Sequence, residues 1–280
     1  MVNVELAYRQ CEQMIRQHSK TFYKAFSLLP EEKRKAVWAV YAFCRIVDDI
    51  VDEGSSPHEE LKQFEQEFTL FLNGVMPLTH QFMWVALKDA FSRFQLDDKP
   101  FFDMLKGQGM DLIKTRYETM DEVLDYSYHV ASTVGLMLLP ILAPKEKAAL
   151  KDGAIALGLG MQITNILRDI GEDLQRNRVY IPKELLLKYH YSQLELQHGI
   201  INSDFIQLWE HMAQEAEMYY TRALETMHLY PISSRTPVKA SALFYREILN
   251  KIRDQEYRVF SEKQFVTNEE KSTILSGISG

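Results

Sequence analysis

The spacing of apolar residues is the feature that most limits how this chain can fold. Apolar side chains recur at steps of three and four residues through nearly the whole sequence, which is the period of an α-helix with one buried face. In residues 33–52 the side chains at these steps are Val37, Trp38, Val40, Tyr41, Phe43, Cys44 and Val47. Alternation typical of a strand is confined to short pieces such as residues 179–181. The pattern therefore predicts an all-α protein.

Glycine and proline divide this pattern into segments of helix length. The chain has 12 glycines and 9 prolines among 280 residues, fewer than the roughly 12% that the two types usually supply. Pro30 followed by Glu31 and Glu32 predicts the start of a helix that Gly54 ends. Acidic side chains in a first turn stabilise a helix through their interaction with its dipole. Further helices are predicted from Pro57 over residues 58–73, from Asp121 into residues 135–139, and over residues 145–176, 204–229 and 237–260. We find no repeat, linker or low-complexity tract, so about ten helices are expected to form one domain over residues 1–280.

Charge, cysteine content and hydropathy exclude several classes of protein. The 32 basic and 39 acidic residues give a net charge of −7, whereas a domain that holds nucleic acid usually has a basic excess. Cys11 and Cys44 have no CxxC spacing, and we expect reduced thiols in the core. The N-terminus lacks the pattern of a secretory signal, and no run of 18 apolar residues predicts a membrane span. We therefore expect a cytoplasmic protein that at most associates with a membrane surface.

A first acidic motif lies near the end of the helix predicted to begin after Pro30. Asp48 and Asp52 are four residues apart and project from one helical face, with Arg45 three residues before Asp48 and Tyr41 one turn earlier. Two like charges at this spacing destabilise an exposed helix by a few tenths of a kcal/mol, and burial raises that cost. A solvated acidic helix end before Gly54 is the alternative that this motif alone leaves open.

A second polar motif follows an apolar run that contains glycine. Its members step through a helix by three, four and four residues and are Gln162, Asn165, Asp169 and Asp173. Basic residues near them are Arg168, Arg176 and Arg178. If the two helices face each other, four carboxylates converge on one cavity, which is unstable unless cations fill it.

Oxygen ligands without histidine or cysteine point to Mg²⁺ or Mn²⁺ rather than zinc. Magnesium held by one or two carboxylates keeps several waters and commonly takes phosphate oxygens as further ligands. Arg45, Arg168 and Arg178 suit phosphate oxygens by bidentate hydrogen bonding. The residues alone therefore predict a helical cavity that binds a diphosphate through a magnesium cluster, and its apolar walls predict a hydrocarbon substrate.

Three stretches of the chain resemble the squalene and phytoene synthase family. They are His18-Ser19-Lys20-Thr21-Phe22 through Arg45 to Asp52, the run Tyr126-Ser127-Tyr128-His129-Val130-Ala131-Ser132-Thr133-Val134-Gly135, and residues 157–182 with the second motif. Within the family, the chain length and the opening over residues 18–52 are most similar to bacterial dehydrosqualene (4,4'-diapophytoene) synthases. The resemblance implies a single-domain isoprenoid-synthase-type helical bundle around a central cavity.

The same resemblance implies a set of site residues. Two or three magnesium ions would be held by Asp48, Asp52, Asn165, Asp169 and Asp173. Diphosphate would be bound or drawn off by Arg45, His18, Lys20, Arg168, Arg178, Gln162 and Lys263. Polar cavity positions would be Tyr41, Tyr126 and Tyr245. Of these, Tyr126 would be catalytic, together with Arg45 and the aspartates. The hydrocarbon would contact Phe22, Phe26, Val134, Gly135, Leu138 and Leu142.

The implied activity is the head-to-head condensation of two farnesyl diphosphates through presqualene diphosphate to dehydrosqualene, with loss of diphosphate and without NADPH. Alternatives are condensation of geranylgeranyl diphosphate to phytoene, release of farnesol, and a family member that has lost catalysis. Taken alone, His18 is also compatible with a surface histidine, and Phe22, Phe26 and Leu138 with core packing. The acidic tail over residues 264–271 departs from related synthases, which often carry several basic residues there. The expected partners are farnesyl diphosphate and, for an insoluble product, a membrane surface or a downstream desaturase, with no nucleic acid.

Overall fold

A computed structural model describes residues 3–279, where helices are the regular structure and the one strand-like feature is an isolated bridge between Arg116 and Val179. The α-helices in this range are α1 (Val4–His18), α2 (Lys20–Phe26), α3 (Glu31–Glu53), α4 (Pro57–Leu72), α5 (Gln81–Phe94), α6 (Lys99–Met110), α7 (Met120–Ser127), α8 (Thr133–Leu142), α9 (Lys147–Arg168), α10 (Ile170–Gln175), α11 (Lys183–Lys188), α12 (Gln193–Gln197), α13 (Ser203–Glu225), α14 (Ile232–Asp254) and α15 (Asn268–Ser279). A π-helix covers Tyr128–Ser132 and a 3₁₀-helix covers Met227–Leu229. The predicted all-α class is confirmed.

The helix boundaries agree with the sequence at α3 and α4 and differ at α14. Gly54 follows the end of α3, and Pro57 is the first residue of α4, as expected. The helix predicted over residues 237–260 instead begins at Ile232, because the carbonyl of Pro231 accepts hydrogen bonds from the backbone N–H groups of Ser234 and Arg235 at 2.8 and 2.9 Å. Pro237 therefore lies inside the helix. The described chain has more helices than the ten expected, since several connecting segments contain short helices.

Helix α3 runs through the centre of one of two large apolar clusters. Its Phe43 ring lies 5.0 Å from that of Phe101 and 5.3 Å from those of Phe64 and Phe68, all with centroid distances typical of aromatic pairs. Cys11 and Cys44 are buried and free, as the sequence predicts. In the described residues, no helix has both the length and the hydropathy needed to cross a membrane. The buried apolar face of α3 thus fixes where its polar residues lie.

The π-helix interrupts the helix predicted to continue from Asp121. It lies against α9, where the two backbones approach so closely that a Cβ added to Gly158 would be 2.4 Å from the Cα of Ser132. The Ser132 hydroxyl donates a hydrogen bond to the carbonyl of Ile155 on α9 at 2.8 Å. Insertions of this kind are frequent at functional sites. The absence of a side chain at Gly158 is therefore what permits this approach.

A second interruption separates α9 from α10 at Asp169. The backbone N–H of Gly171 donates to the carbonyl of Val259 at 3.1 Å, and a Cβ on Gly171 would lie 2.3 Å from the Phe260 carbonyl oxygen. The Leu167 carbonyl accepts the indole N–H of Trp209 at 3.3 Å. The chain that follows α14 thus packs directly against α10, which divides the helix predicted over residues 145–176.

We predict that Gly158→Ala lowers the free energy of unfolding by about 1–3 kcal/mol, because the new methyl group must push the π-helix away from α9. Urea denaturation measures the change. The matched control is Gly277→Ala on α15, where no atom lies within 4 Å of the added Cβ, and an alanine there is expected to be neutral or stabilising by up to about 1 kcal/mol. Equal effects of the two substitutions would contradict the close approach.

Candidate active site

A cavity of about 460 Å³ lies between the helices that carry the two sequence motifs. The predicted site residues that line it are His18, Phe22, Phe26, Tyr41, Arg45, Asp48, Asp52, Tyr126, Val134, Gly135, Leu138, Leu142, Gln162, Asn165, Arg168, Asp169, Asp173, Arg178, Tyr245 and Lys263. Lys20 is the predicted residue that the structure does not bring to the cavity, because it is exposed on the outer side of the short helix α2. The two motifs therefore face the same cavity, which their spacing alone had left open.

The cavity has a polar end and an apolar end. Along α3 the lining residues run from Tyr41 to Asp52, and eleven residues of helix span about 16 Å. Along α9 they run in the same sense from Ala154 to Arg168, and Asp169 follows directly. We call the side with the four aspartates the polar end and the opposite side, lined by Phe26, Leu138, Leu142, Tyr230 and Val238, the apolar end. The cavity thus suits substrates that have a charged head and an apolar tail.

The two aspartates of the first motif have different surroundings. Asp52 lies at the exposed rim, where Arg178 approaches it to 2.7 Å and Arg176 also forms an ion pair with it. Asp48 is deeper and accepts a hydrogen bond from the Gln108 amide at 2.5 Å. Burial, together with the charges of nearby carboxylates, raises the pKa of Asp48 to about 8. The negative charge of Asp52 is therefore balanced by two arginines, whereas Asp48 forms no ion pair with the described residues.

Arg45 does not pair with Asp48, although the two are three residues apart. Its guanidinium forms an ion pair with Asp49, four residues along the same helix, and its Nε is buried without a hydrogen-bond partner. The side chain still lines the cavity beside Asp48. A donor that is buried, charged and unpartnered is well placed to bind an anionic ligand.

The second motif repeats this asymmetry. Arg168 donates two hydrogen bonds to Asp169, at 2.8 and 2.5 Å, and the Lys263 ammonium lies 3.1 Å from the same carboxylate. Burial alone would raise the pKa of Asp169, but these basic partners hold it below its usual value. The pKa of Asp173 is raised to about 8 by burial and by the charges of Asp169 and Glu172. Each motif therefore has one carboxylate paired with bases and one without.

A polar network beside the aspartates is not apparent from either motif. Asp111, which directly follows α6, is 8% exposed and accepts hydrogen bonds from the hydroxyls of Tyr126 at 2.8 Å and Tyr180 at 2.7 Å. Gln108 lies one turn earlier in the chain and binds Asp48. The sequence around them carries no motif, because other charged residues such as Asp103 and Lys106 lie in the same segment. Glu172 and Arg176 also line the cavity.

The described residues fit divalent cations at the polar end. The amide oxygen of Asn165 is buried without a hydrogen-bond partner, and Asp48 and Asp173 are carboxylates whose ionised forms lack a paired base. Cys44 also lines the cavity, but burial raises the pKa of its thiol, which keeps it protonated. Within residues 3–279 no three His, Cys, Asp or Glu side chains lie close enough to hold one ion. Each ion would therefore take one or two ligands from the chain and complete its shell with water and phosphate oxygens.

The apolar part of the cavity is built around an aromatic stack. The Phe22 ring lies 5.8 Å from Phe26 and 5.1 Å from Tyr245 between centroids. Val134, Gly135 and Leu138 of α8 line the same cavity. These side chains offer a hydrocarbon no hydrogen-bonding group except the Tyr245 hydroxyl.

Comparisons with known proteins agree with this geometry. A sequence model of the family described as squalene/phytoene synthase matches residues 15–270. The chain is 37% identical to a phytoene synthase of Arthrospira platensis, in an alignment that covers 96% of this chain and 91% of the relative. It is 36% identical to a 15-cis-phytoene synthase of Synechococcus elongatus, with 95% and 90% covered.

A solved structure is similar over almost the whole chain. The crystal structure of a dehydrosqualene synthase in complex with a ligand superposes with a TM-score of 0.93 at 37% identity, covering 99% of this chain and 96% of that one. The similarity includes the helices that form the cavity, since it leaves almost none of the chain unmatched.

We predict that Asp48→Asn stabilises the metal-free protein. The folded pKa of about 8 lies above the ordinary carboxyl value of about 3.9, so the carboxylate disfavours folding increasingly as the pH rises from that value towards 8. The amide keeps the acceptor for Gln108 and carries no charge, so the free energy of unfolding should rise by about 1–3 kcal/mol near neutral pH. Urea denaturation in EDTA at several pH values measures the gain.

The matched control is Asp49→Asn, which removes the ion pair with Arg45 and is not expected to stabilise the protein. A loss of stability in Asp48→Asn equal to that in Asp49→Asn would contradict the assignment of Asp48 as an unpaired carboxylate.

Proposed function

The chain belongs to the squalene/phytoene synthase family of prenyltransferases, whose members condense prenyl diphosphates head to head, and we propose that it joins two farnesyl diphosphates into dehydrosqualene. The observation that carries the proposal is the pair of opposed carboxylate motifs, each with basic partners, at one end of a cavity whose other end is apolar. Such a cavity suits a substrate with a diphosphate head and a hydrocarbon tail.

Binding of the diphosphate falls to the basic residues of the polar end. Arg168, Arg178 and Lys263 are held by carboxylates in the structure, and Arg45 has a free buried donor. Phosphate oxygens would offer the three arginines bidentate acceptors and would offer the Lys263 ammonium a charged one. The exposed His18 and the Gln162 amide line the same end and would contribute weaker hydrogen bonds.

The family depends on divalent metal ions, and we propose magnesium, held by Asp48, Asp52, Asn165, Asp169 and Asp173. When bound, two or three such ions would supply positive charge that stabilises the leaving diphosphate. The unpartnered oxygen of Asn165 and the unpaired carboxylates of Asp48 and Asp173 support this set.

The reaction that we propose has two stages. The first farnesyl group loses diphosphate, and the double bond of the second molecule attacks the resulting allylic cation to form the cyclopropyl intermediate presqualene diphosphate, with loss of a proton. A second loss of diphosphate, a rearrangement and loss of another proton then give dehydrosqualene. The basic residues of the polar end would stabilise each departing diphosphate. The aromatic and aliphatic walls would keep water from the cations, and no hydride donor such as NADPH takes part.

Tyr126 is the polar group that we assign to the middle of the cavity. Its hydroxyl donates to Asp111, which fixes the orientation of the ring beside the substrate space. A fixed hydroxyl dipole next to a developing cation can orient the proton that is lost. Tyr41 and Tyr245 line the cavity at the neighbouring helices α3 and α14.

Two observations bear on the length of the substrate. The large side chain of Phe26, 5% exposed, lies at the apolar end and stacks on Phe22, which supports the shorter farnesyl chain, as does the 0.93 TM-score with a dehydrosqualene synthase. The second candidate is geranylgeranyl diphosphate, which the phytoene synthases among the relatives favour. An insoluble hydrocarbon product would pass to a membrane surface or to a downstream desaturase.

We predict that purified protein with farnesyl diphosphate and Mg²⁺, without NADPH, yields dehydrosqualene, which hydrocarbon extraction and mass spectrometry detect. Asp169→Asn should reduce turnover at least about a hundredfold, because it removes a proposed ligand of the magnesium ions that would stabilise the leaving diphosphate. The control is Asp103→Asn, whose carboxylate pairs with Lys99 on the outer face of α6. Farnesol as the sole product, or normal turnover in Asp169→Asn, would overturn the proposed reaction or the assigned site.

We predict that Phe26→Ala shifts the preference towards geranylgeranyl diphosphate, since removing a ring from the apolar end makes room for one more isoprene unit. Values of kcat/KM for the two diphosphates measure the shift, expected at about tenfold or more. Phe82→Ala on α5 removes a half-buried ring outside the cavity and should leave the ratio unchanged. A wild-type enzyme that prefers geranylgeranyl diphosphate would replace the first candidate by the second.

A further inference from the structure

A cluster of polar groups closes the apolar end of the cavity, where the proposed reaction has no use for charge. Lys33, in the first turn of α3, donates from Nζ to the carbonyl oxygen of Leu142 at 3.0 Å and to Oγ of Ser234 at 2.9 Å. The Ser234 hydroxyl donates to the same carbonyl at 2.7 Å. We call these three groups the Lys33 latch. It joins α3, α8 and α14 at one point.

The latch places an ammonium group in costly surroundings. Lys33 is half-buried, Ser234 is fully buried, and desolvation lowers the pKa of the lysine. Among the described residues no carboxylate forms an ion pair with Lys33, whereas Lys35, two residues along, pairs with both Glu5 and Glu31. A charge in this setting destabilises the fold unless its hydrogen bonds compensate. A neutral side chain of the same length would fill the space at lower cost, so the donors of Lys33 must serve a purpose that packing alone does not.

What the latch holds is the end of the cavity. Leu142 is the last residue of α8, so its carbonyl has no partner within the helix, and its side chain lines the apolar end. Ser234 lies in the first turn of α14, four residues before Val238, which lines the same end. The latch therefore fixes the ends of two helices whose side chains limit how far a hydrocarbon tail can reach.

We propose that Lys33 is a positioning residue for substrate length: by tying α3 to the carbonyl of Leu142 and to Ser234, it keeps the apolar end of the cavity closed at the length of a farnesyl chain. This inference rests on the proposed function, which supplies the prenyl substrate. Without the ammonium, Ser234 still joins α14 to the Leu142 carbonyl, but α3 is no longer held to either group, so the ends of α8 and α14 are free to move away from α3. This movement admits a longer chain without altering the polar end, because Asp48 lies fifteen residues along α3 from Lys33, or about 22 Å.

The test compares Lys33→Met with three other variants. Dissociation constants for the unreactive thiolodiphosphate analogues of farnesyl and geranylgeranyl diphosphate give the preference for chain length, and kcat and KM for the two diphosphates give its effect on turnover. Lys33→Met should change both ratios in favour of the longer chain by about tenfold, since a pocket discriminates one methylene by 10- to 200-fold. Ser234→Ala should act in the same direction. Lys33→Arg, which can still donate to the Leu142 carbonyl, should retain most of the wild-type preference.

Lys35→Met is the matched control, because it removes a neighbouring lysine with two ion pairs that does not line the cavity. It should leave the ratio as in wild type. A lower melting temperature in Lys33→Met with an unchanged ratio would show that the latch is structural only and would overturn the inference. If Lys33→Met does not fold, Ser234→Ala decides by the same ratio.

The readouts separate this inference from the proposed function. Absence of turnover in the wild type together with a changed binding ratio in Lys33→Met would overturn the proposed reaction and support the latch. Normal turnover in every variant with equal binding ratios would support the reaction and overturn the latch.

Discussion

The concentration of carboxylates at one end of a cavity is the constraint on which the rest of the structure depends. Four aspartates and Asp111 converge there, and ionised groups at this density disfavour folding unless cations balance them. The chain supplies some of that balance through Arg168, Arg178 and Lys263. It leaves Asp48 and Asp173 with raised pKa values. The fold therefore contains carboxylates whose ionisation is unfavourable, and a bound cation would remove that cost.

Local spacing accounts for what could be predicted of this site. Aspartates four residues apart on a helix with an apolar opposite face must project together, and the same holds for the second motif. The neighbours of those aspartates could not be predicted in this way. Gln108 and Asp111 come from α6 and the turn after it, and the sequence around them carries no motif. Lys20 is the reverse case, because it belongs to a recognised motif but is exposed on α2 and does not line the cavity.

Helix boundaries, too, could be predicted where local residues determine them and not where a distant contact does. The ends of α3 were predicted, because Pro30 and Gly54 directly flank the helix. The interruption at Asp169 depends on a hydrogen bond from Gly171 to Val259, a residue far along the chain. No pattern near residue 169 reports that contact. The same packing carries Lys263 to Asp169, so one long-range approach both divides a helix and completes the polar end.

The ion pairs of Asp52 have a consequence for how the protein is made. Its partners Arg176 and Arg178 follow it by 124 and 126 residues. At 5–20 residues per second, a ribosome needs about 6–25 s to add that length of chain. During that interval α3 has both acidic side chains of the first motif but neither of the two arginines that pair with Asp52. A nascent chain therefore carries an unbalanced acidic face on its central helix, and assembly of the polar end must await synthesis of Arg176, Arg178 and Lys263.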